Sequence, residues 1–333
     1  MRSIFLCEDK AIIKKVYNDE VIENLKNKAC IDETVYSKAD LLNNPDSFTD
    51  VDYIFSTWGM PQLSEEEIKA ILPSLKCLFY SAGTVQPFAR PFLNSGVKVF
   101  SAWAANAVPV AEYTVAQIVL ANKGFYKNAK MSCKEDFDTL RKTLDNYGGN
   151  YNAKIGIIGA GMIGKLVIKM LKNYKFDILV FDPFLPDPVA LELGVKKVSL
   201  EELFSNCNVT SNHLANNAQT KGMLNYSHFS SMPPYSTFLN TGRGAQVVEA
   251  DLVKALEERH DLFAVLDVTD PEPCENDHKF YSLPNCILTP HIAGSAGNEV
   301  HRMAEYMLNE FEAFTENNPC KYEVTAKMLE TMA

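Results

Sequence analysis

The strongest constraint on the fold is a glycine pattern between a predicted strand and a predicted helix. The run Lys154–Ile158 is short and apolar, which is typical of a buried parallel strand. A G-x-G-x-x-G sequence, Gly159–Gly164, follows it directly, and apolar residues then recur at helical spacing through residues 166–171. A strand, a glycine turn and a helix in this order predict a βα unit that binds a dinucleotide.

Each glycine of this pattern has a physical reason. Gly159 permits the tight turn, Gly161 lets the backbone approach a pyrophosphate, and Gly164 allows the helix to pack closely on the strand. The free N–H groups at the start of the helix then face the phosphates. The pattern therefore predicts a phosphate cradle made of backbone rather than of basic side chains.

An acidic residue stands where a ribose-binding carboxylate is expected. The next predicted strand, Asp177–Phe181, leads directly to Asp182. A carboxylate at this position accepts hydrogen bonds from ribose hydroxyls and repels a 2′-phosphate. Pro183 and Phe184 follow it, without an arginine that could bind such a phosphate. The sequence therefore favours NAD over NADP.

The whole chain alternates between short apolar strands and amphipathic helices, in two successive stretches. Capping boxes at Ser64 and Ser199, each followed three residues later by glutamate, predict two of the helix starts. A long helix is predicted from about Pro109 to Met131 and a last helix over residues 298–316, followed by a tail with no obvious strand set of its own. The predicted strands are Ile4–Cys7, Tyr53–Trp58, Cys77–Ser81, Val97–Ser101, Lys154–Ile158, Asp177–Phe181, Val209–His213, Thr237–Asn240, Phe263–Val268 and Cys286–Thr289. This alternation predicts two doubly wound α/β domains with parallel sheets.

Composition narrows the classes of partner and compartment. The 333 residues suggest about two domains, and a formal net charge of -10 argues against a nucleic acid partner. The opening residues become charged too early for a signal peptide, and no apolar run reaches the length of a membrane span. We therefore expect a cytoplasmic protein that does not bind a membrane. The eight cysteines are scattered singly, which predicts reduced thiols and no metal site.

Three later segments end predicted strands with residues suited to acid–base chemistry. Arg243, Glu272 and His291 follow such strand ends, and the carboxyl ends of parallel strands meet at one ligand crevice. The planar fork of an arginine fits a substrate carboxylate and carbonyl oxygen. A histidine titrates near neutral pH and can give the carbonyl oxygen its proton, while a carboxylate fixes the imidazole tautomer. This set is what hydride transfer on a 2-hydroxy acid requires.

At these residues the chain resembles the D-isomer-specific 2-hydroxyacid dehydrogenase family. The order and spacing of the motifs carry the resemblance, which covers nearly the whole length. The matching segments are Gly159–Gly164 with Asp182, Asn240–Gly244, Asp267–Val268 with Glu272–Pro273, Thr289–His291, Asn106 with Val110–Glu112, and His213–Ala215 with Thr220.

The resemblance implies an oxidoreductase that exchanges a hydride between NAD(H) and a D-2-hydroxy acid or 2-keto acid. Arg243 is then the group that binds substrate and polarises its carbonyl, His291 is the acid/base and Glu272 is its partner. Asp267 is expected to contact the nicotinamide carboxamide. The other expected NAD contacts are Gly159, Gly161, Met162, Ile163, Gly164, Asp182, His213, Leu214, Thr220, Thr241 and Gly242.

The resemblance also implies the domain organisation. A flavodoxin-like substrate domain, residues 1–102 with 296–333, is expected to be interrupted by a Rossmann NAD domain, residues 103–295. A homodimer built around the inserted domain is expected. The substrate is a small 2-hydroxy or 2-keto acid whose identity the sequence leaves open.

The sequence departs from the family at three places. The substrate loop usually reads Gly-x-Gly-x-Asp, whereas here it is Ser81-Ala82-Gly83-Thr84-Val85. Ala82 and Gly83 remain candidates for binding the substrate carboxylate through their N–H groups. Ala215 replaces a common proline, and Gly242 replaces a common alanine.

Two alternatives stay open. Formate- and phosphite-type dehydrogenases share this fold; Glu272 argues against the formate type, which carries an amide there, but the arginine, glutamate and histidine do not exclude the phosphite type. A non-catalytic NAD-sensing regulator of the same fold is the second alternative.

Overall fold

The computed structural model describes residues 1–129 and 132–330. The elements up to the long central helix are β1 Ser3–Leu6, α1 Lys10–Val16, α2 Asp19–Ala29, β2 Ile31–Tyr36, α3 Lys38–Asn43, β3 Tyr53–Ser56, α4 Glu65–Ile71, β4 Cys77–Tyr80, α5 Ala89–Asn94, β5 Lys98–Ser101 and α6 Trp103–Ala121. The elements that follow are α7 Phe125–Asn128, α8 Asp136–Arg141, β6 Tyr151–Ile158, α9 Met162–Leu171, β7 Lys175–Phe181, α10 Asp187–Glu192, β8 Lys196–Lys197, α11 Leu200–Asn206, β9 Val209–Asn212, α12 Tyr226–Ser231, β10 Thr237–Asn240, α13 Glu249–Glu258, β11 Phe263–Leu266, β12 Cys286–Leu288, α14 Glu299–Thr315 and β13 Glu323–Val324.

The chain forms two compact units, and the second interrupts the first. One unit comprises Met1–Asn106 together with the segment that begins at Ser295, and the other comprises Ala107–Gly294. These limits lie within a few residues of the domain boundaries expected from the sequence. Each unit has its own sheet and its own buried core.

The first unit is built on a six-stranded sheet with an aromatic residue from each of four adjacent strands. The strand order is β13-β5-β4-β3-β1-β2. Phe5, Phe55, Phe79 and Phe100 are register partners across β1, β3, β4 and β5. Phe311 of α14 packs edge-on against Phe55 and Phe79, with ring centroids 5.5 and 5.7 Å apart. This aromatic row explains why the C-terminal helix belongs to the first unit.

The second unit is built on a seven-stranded sheet whose strands are all parallel. The order is β12-β11-β10-β9-β6-β7-β8. The first strand of this unit, β6, lies between β7 and β9, so the chain reverses its winding direction there. In sheets of this kind, ligands bind at the carboxyl ends of the strands beside that reversal. The topology therefore points to the loops after β6 and β9.

The structure confirms the doubly wound α/β class, with corrections at the edges of the sheets. Every predicted strand is present, with ends that differ by at most three residues. Strands β2, β8 and β13 were missed. The tail, where the sequence shows no obvious strand set of its own, adds the two-residue strand Glu323–Val324, which pairs antiparallel with β5. Edge strands this short or this polar carry no apolar alternation for the sequence to reveal.

The predicted helix starts at Ser64 and Ser199 are both present, but only one is a full capping box. The Ser64 hydroxyl accepts from Glu67 N, and the Glu67 carboxylate accepts from Ser64 N at 2.7 Å. Ser199 accepts from Glu202 N, whereas the Glu202 carboxylate pairs with Lys196 instead. The lysine offers a charged donor that competes with the backbone N–H.

The long central helix begins and ends earlier than predicted. It spans Trp103–Ala121, with Pro109 in its interior, and Met131 lies outside the described residues. By length and composition alone this helix could cross a membrane, and 44% of the relevant window is buried in the structure. Ala111, Ile118 and Ala121 pack in the core of the second unit, as expected of an internal helix of a globular domain.

Aromatic and cysteine side chains near the strand ends have packing roles. Tyr80 is buried against Phe88, and Trp103 packs edge-on against Tyr322, while Trp58 is partly exposed. The cysteines form no disulfide: all eight are free thiols. Among the described residues, no group of His, Cys, Asp and Glu side chains could hold a metal ion.

The close packing of the glycine turn after β6 predicts how alanine substitutions there change the free energy of unfolding. A Cβ at Gly164 would lie 2.0 Å from the Gly159 carbonyl oxygen, whereas a Cβ at Gly161 meets no atom within 4 Å. We expect Gly164→Ala to lower the free energy of unfolding of this unit by about 2 kcal/mol, as overpacking does. Gly161→Ala is the matched control and should cost less than about 1 kcal/mol, since it changes only the residue before the helix. Urea unfolding followed by circular dichroism measures both, and equal losses would contradict the close packing.

Candidate active site

The glycine turn has the geometry of a phosphate cradle. Gly159 has φ +88°, and a Cβ there would lie 2.7 Å from the His213 carbonyl oxygen. The helix α9 begins at Met162, and no side chain caps its first N–H groups. The space over Gly161 is open. Uncapped N–H groups beside open space at the start of a ten-residue helix fit an anionic ligand such as a pyrophosphate.

Asp182 lies beside the glycine turn and closes it. Its Oδ2 accepts a hydrogen bond from Ala160 N at 2.7 Å, and its Oδ1 accepts from Phe184 N at 2.8 Å. A carboxylate has about four acceptor sites, so both oxygens can still accept from ribose hydroxyls. The residue thus combines a structural contact with the placement expected of a ribose-binding acid.

The loop after β9 presents backbone rather than the His213 imidazole. The imidazole ring is buried, and its Nε2 lies 2.9 Å from the Ser211 hydroxyl. Burial lowers the pKa of His213 to about 4, so the ring is neutral at neutral pH. The Thr220 hydroxyl donates to the Ala215 carbonyl at 2.6 Å and so closes the same loop. Both side chains therefore fix the loop shape.

Arg243 follows β10 in a turn that lies against neighbouring backbone. Its Nη1 donates to the Gly242 carbonyl at 2.8 Å, and the guanidinium is half-buried. Within residues 1–129 and 132–330, no carboxylate lies within 4 Å of its nitrogen atoms. A Cβ at Gly244 would lie 2.0 Å from the Thr269 carbonyl carbon, so only glycine allows this approach. The Thr241 hydroxyl is 3.2 Å from that of Thr114 on α6.

The expected contact between histidine and glutamate is present. His291 Nδ1 lies 2.6 Å from Glu272 Oε1, and the two side chains are 43% and 41% exposed. The histidine backbone has φ +54°, a left-handed conformation that is rare for a residue with a Cβ. With Nδ1 held by the carboxylate, Nε2 is the nitrogen left to exchange a proton. The pair has the arrangement of a general acid/base and its orienting group.

Asp267 has an internal role that the sequence did not reveal. Its buried carboxylate accepts from the Thr289 hydroxyl at 2.6 Å, from Ile292 N at 2.8 Å and from Ala293 N at 2.9 Å. The Asp267 carbonyl also accepts from His291 N. Asp267 therefore holds the turn that carries the histidine. Strands β11 and β12 pair in register, so the residues that follow them, Asp267 and Thr289, lie side by side. That pairing is the sequence signal that could have revealed the contact.

A cavity of about 410 Å³ adjoins the His291–Glu272 pair within the second unit. Its remaining lining is mostly apolar and includes one free thiol. The lining residues are Asp267, Val268, Thr269, Glu272, Pro273, Cys274, Tyr281, Leu288, Thr289, Pro290 and His291.

Ala82 and Gly83, the predicted substrate-loop residues, belong to the first unit. The Ser101 hydroxyl donates to their carbonyls at 2.8 and 2.7 Å, which turns the carbonyls inward. Across the part of the chain that the structure describes, the N–H groups of residues 82–85 have no hydrogen-bond acceptor. A loop with fixed carbonyls and unused N–H groups suits a carboxylate ligand.

Comparisons with known proteins show which family the chain is similar to. Residues 116–293 match the family model described as D-isomer specific 2-hydroxyacid dehydrogenase, NAD binding domain. A putative 2-hydroxyacid dehydrogenase, YoaD of Bacillus subtilis, is 31% identical over 60% of this chain and 58% of its own length. A hydroxypyruvate reductase of Blautia hydrogenotrophica is 32% identical over 50% of this chain and 51% of its own length. The chain spans about half the length of the curated relatives it matches.

A solved structure extends the similarity of fold to nearly the whole chain. The apo form of the D-mandelate dehydrogenase of Rhodotorula graminis superimposes with a TM-score of 0.79 at 18% identity, covering 97% of each chain. At this identity the likeness concerns the fold alone, whereas the family match covers more than half of the chain. The chain therefore belongs to the D-isomer specific 2-hydroxyacid dehydrogenase family, and residues 116–293 are its NAD-binding domain.

Proposed function

We propose that this protein is an NAD-dependent dehydrogenase that interconverts a D-2-hydroxy acid and the corresponding 2-keto acid. The observation that carries the proposal is the 2.6 Å contact between His291 Nδ1 and Glu272 Oε1. This contact lies in the same compact unit as the glycine cradle and the Arg243 guanidinium. Family membership supports the same reaction class.

Arg243 is the proposed substrate-binding cation. Its guanidinium is half-buried and has no carboxylate partner in the described chain, so its fork is available to an anion. A bidentate contact would hold the substrate carboxylate, and the remaining donors would polarise the adjacent carbonyl. Ala82 and Gly83 are also proposed to bind substrate, through their N–H groups.

His291 is the proposed acid/base and Glu272 its orienting partner. During reduction, the imidazolium gives its Nε2 proton to the substrate carbonyl oxygen, which becomes the hydroxyl of the product. Glu272 accepts a hydrogen bond from Nδ1–H throughout and stabilises the positive ring before the transfer. In the oxidative direction, neutral His291 removes the hydroxyl proton.

The second unit would hold NAD through groups that fit each part of it. When bound there, NADH would supply the hydride for the carbonyl carbon. The uncapped N–H groups at Met162 and Ile163 would hold the pyrophosphate, and Asp182 would accept from the ribose hydroxyls. Asp267 would contact the nicotinamide carboxamide, and the backbone around His213–Leu214 and Thr241–Gly242 would line the NAD. We further propose that the protein acts as a cytoplasmic homodimer.

The role of His291 predicts a selective loss of turnover. We expect His291→Asn to lower kcat by a factor of about 10² or more, because the carbonyl oxygen loses its proton donor. The Kd for NADH, measured by fluorescence titration, should change by less than about threefold, since the cradle is untouched. The matched control is His260→Asn, which changes an exposed histidine of the same unit. If turnover survives in His291→Asn, another group is the acid/base.

The proposed role of Asp182 predicts that its charge sets the preference for NADH over NADPH. Asp182→Asn keeps an acceptor for one loop N–H but removes the charge that repels a 2′-phosphate. We expect the ratio of kcat/KM for NADPH to that for NADH to rise about tenfold or more. Asp177→Asn, which changes an exposed acid on the preceding strand β7, is the control and should leave the ratio unchanged. An unchanged ratio in Asp182→Asn would remove Asp182 from the ribose site.

A further inference from the structure

Three buried amide side chains join the loop after β9 to the turn that carries Arg243. They are Asn212, Asn240 and Gln246, and each is at most 1% exposed. Asn212 and Asn240 are register partners at the ends of β9 and β10, and Gln246 ends the 3₁₀ turn that begins at Gly244. Burying this much amide is costly unless the groups are hydrogen-bonded. Their contacts therefore indicate what the cluster holds.

The amides bind one another first. Asn212 Nδ2 donates to Asn240 Oδ1 at 3.0 Å and to Gln246 Oε1 at 2.5 Å. These bonds use both donors of one amide and link three separate chain segments. The remaining groups of the cluster are then free to bind backbone.

The backbone groups that the cluster holds are those of the Arg243 turn. Gln246 Oε1 accepts from Arg243 N at 3.2 Å, and Asn240 Nδ2 donates to the Arg243 carbonyl at 3.2 Å. Asn240 Oδ1 also accepts from Gly242 N at 3.1 Å. The arginine is thus held through both of its backbone polar groups by side chains that are themselves fixed.

The same cluster holds the neighbouring loop. Asn212 Oδ1 accepts from Leu214 N at 3.2 Å, and Gln246 Nε2 donates to the Leu214 carbonyl at 2.7 Å. Both the loop predicted to line NAD and the turn predicted to bind substrate therefore rest on one set of amides.

A sequence departure fits this arrangement. A Cβ at Gly242 would lie 2.8 Å from Gln246 Oε1 and 3.0 Å from Asn212 Nδ2. The glycine, which stands where the family commonly has alanine, leaves the volume that the amides occupy. A Cβ at residue 242 would therefore force these amides to shift.

We propose that Gln246, together with Asn212 and Asn240, is a positioning residue that sets the Arg243 guanidinium for the substrate carboxylate. This inference rests on the proposed dehydrogenase function for its kinetic consequence. Gln246 touches neither of the reacting groups; it acts through the backbone of Arg243. Loss of the cluster should then weaken substrate binding through the arginine and leave the His291–Glu272 pair intact.

The kinetic test uses Gln246→Met, which keeps side-chain volume and removes the amide. We expect KM for the 2-keto acid to rise about tenfold or more, because small displacements of a binding group carry large costs. The drop in kcat should be smaller than the rise in KM, since the proton donor is unchanged. Arg243→Lys in the same assay shows whether the arginine binds substrate at all.

The matched control is Asn285→Leu, a buried amide of the same unit with a purely structural role. Its Nδ2 donates to three carbonyls around the end of α13, at Leu256, Arg259 and Leu262. Loss of either amide should lower the urea midpoint, but only Gln246→Met should raise KM.

Hydrogen exchange tests the inference without relying on turnover. The amide protons of Gly242, Arg243 and Leu214 should exchange about tenfold faster or more in Gln246→Met, and those of His291 and Ile292 should not change. Unchanged exchange at Arg243 and Gly242 overturns the positioning role, whatever the kinetics. Faster exchange with unchanged KM in Gln246→Met also overturns it, provided that Arg243→Lys impairs the enzyme. If Arg243→Lys leaves KM and kcat unchanged, the proposed function of Arg243 fails instead.

Discussion

The candidate site depends on a close approach between backbone segments at the carboxyl ends of one parallel sheet. The loops after β6, β9, β10 and β11 meet at three places where a Cβ does not fit. Gly159 lies against the His213 carbonyl, Gly242 against the buried amides, and Gly244 against the Thr269 carbonyl. Strand ends that converge in this way bring residues distant in sequence into one small region. The chemistry of the site follows from what these loops carry.

The close approach of these loops limits how their backbone polar groups can form hydrogen bonds. Loops at this distance must satisfy their backbone polar groups within the protein, because there is little room for water. Asp182 and Asp267 meet that demand by accepting from N–H groups of a neighbouring loop, and Gln246 of the amide cluster meets it by donating to the Leu214 carbonyl. The acids expected to contact NAD are therefore also structural residues. A variant at either position changes the shape of the site together with its charge.

Much of the fold and the site could be predicted from the sequence, because the relevant signals are local. Buried parallel strands appear as short apolar runs, and the glycine turn appears with its strand and helix. The contact between Glu272 and His291 was expected from their places after neighbouring strands, and it is present. Strand β2 was not predicted from the sequence, because Asp32, Glu33 and Thr34 are exposed polar residues of an edge strand and interrupt its apolar pattern.

What the sequence could not supply was the set of contacts between loops. Pro109 suggested a helix start, yet the helix begins at Trp103 because tertiary packing outweighs the loss of one hydrogen bond. The internal role of Asp267 depends on the register of β11 with β12. The amide cluster depends on the register of β9 with β10, which brings Asn212 beside Asn240, and on the turn that returns Gln246 to them.

The most direct test of the central claim is to offer the purified protein NADH and a panel of 2-keto acids. The panel includes glyoxylate, hydroxypyruvate, pyruvate, and branched, aromatic and sugar-derived acids. We predict oxidation of NADH with at least one member and, for every member other than glyoxylate, whose product is achiral, a 2-hydroxy acid of the D configuration by chiral chromatography. Product of the L configuration would contradict the family chemistry proposed for this site. If NADH binds but is not oxidised with any member, the result would contradict the proposed dehydrogenase activity and favour a regulator that senses NAD.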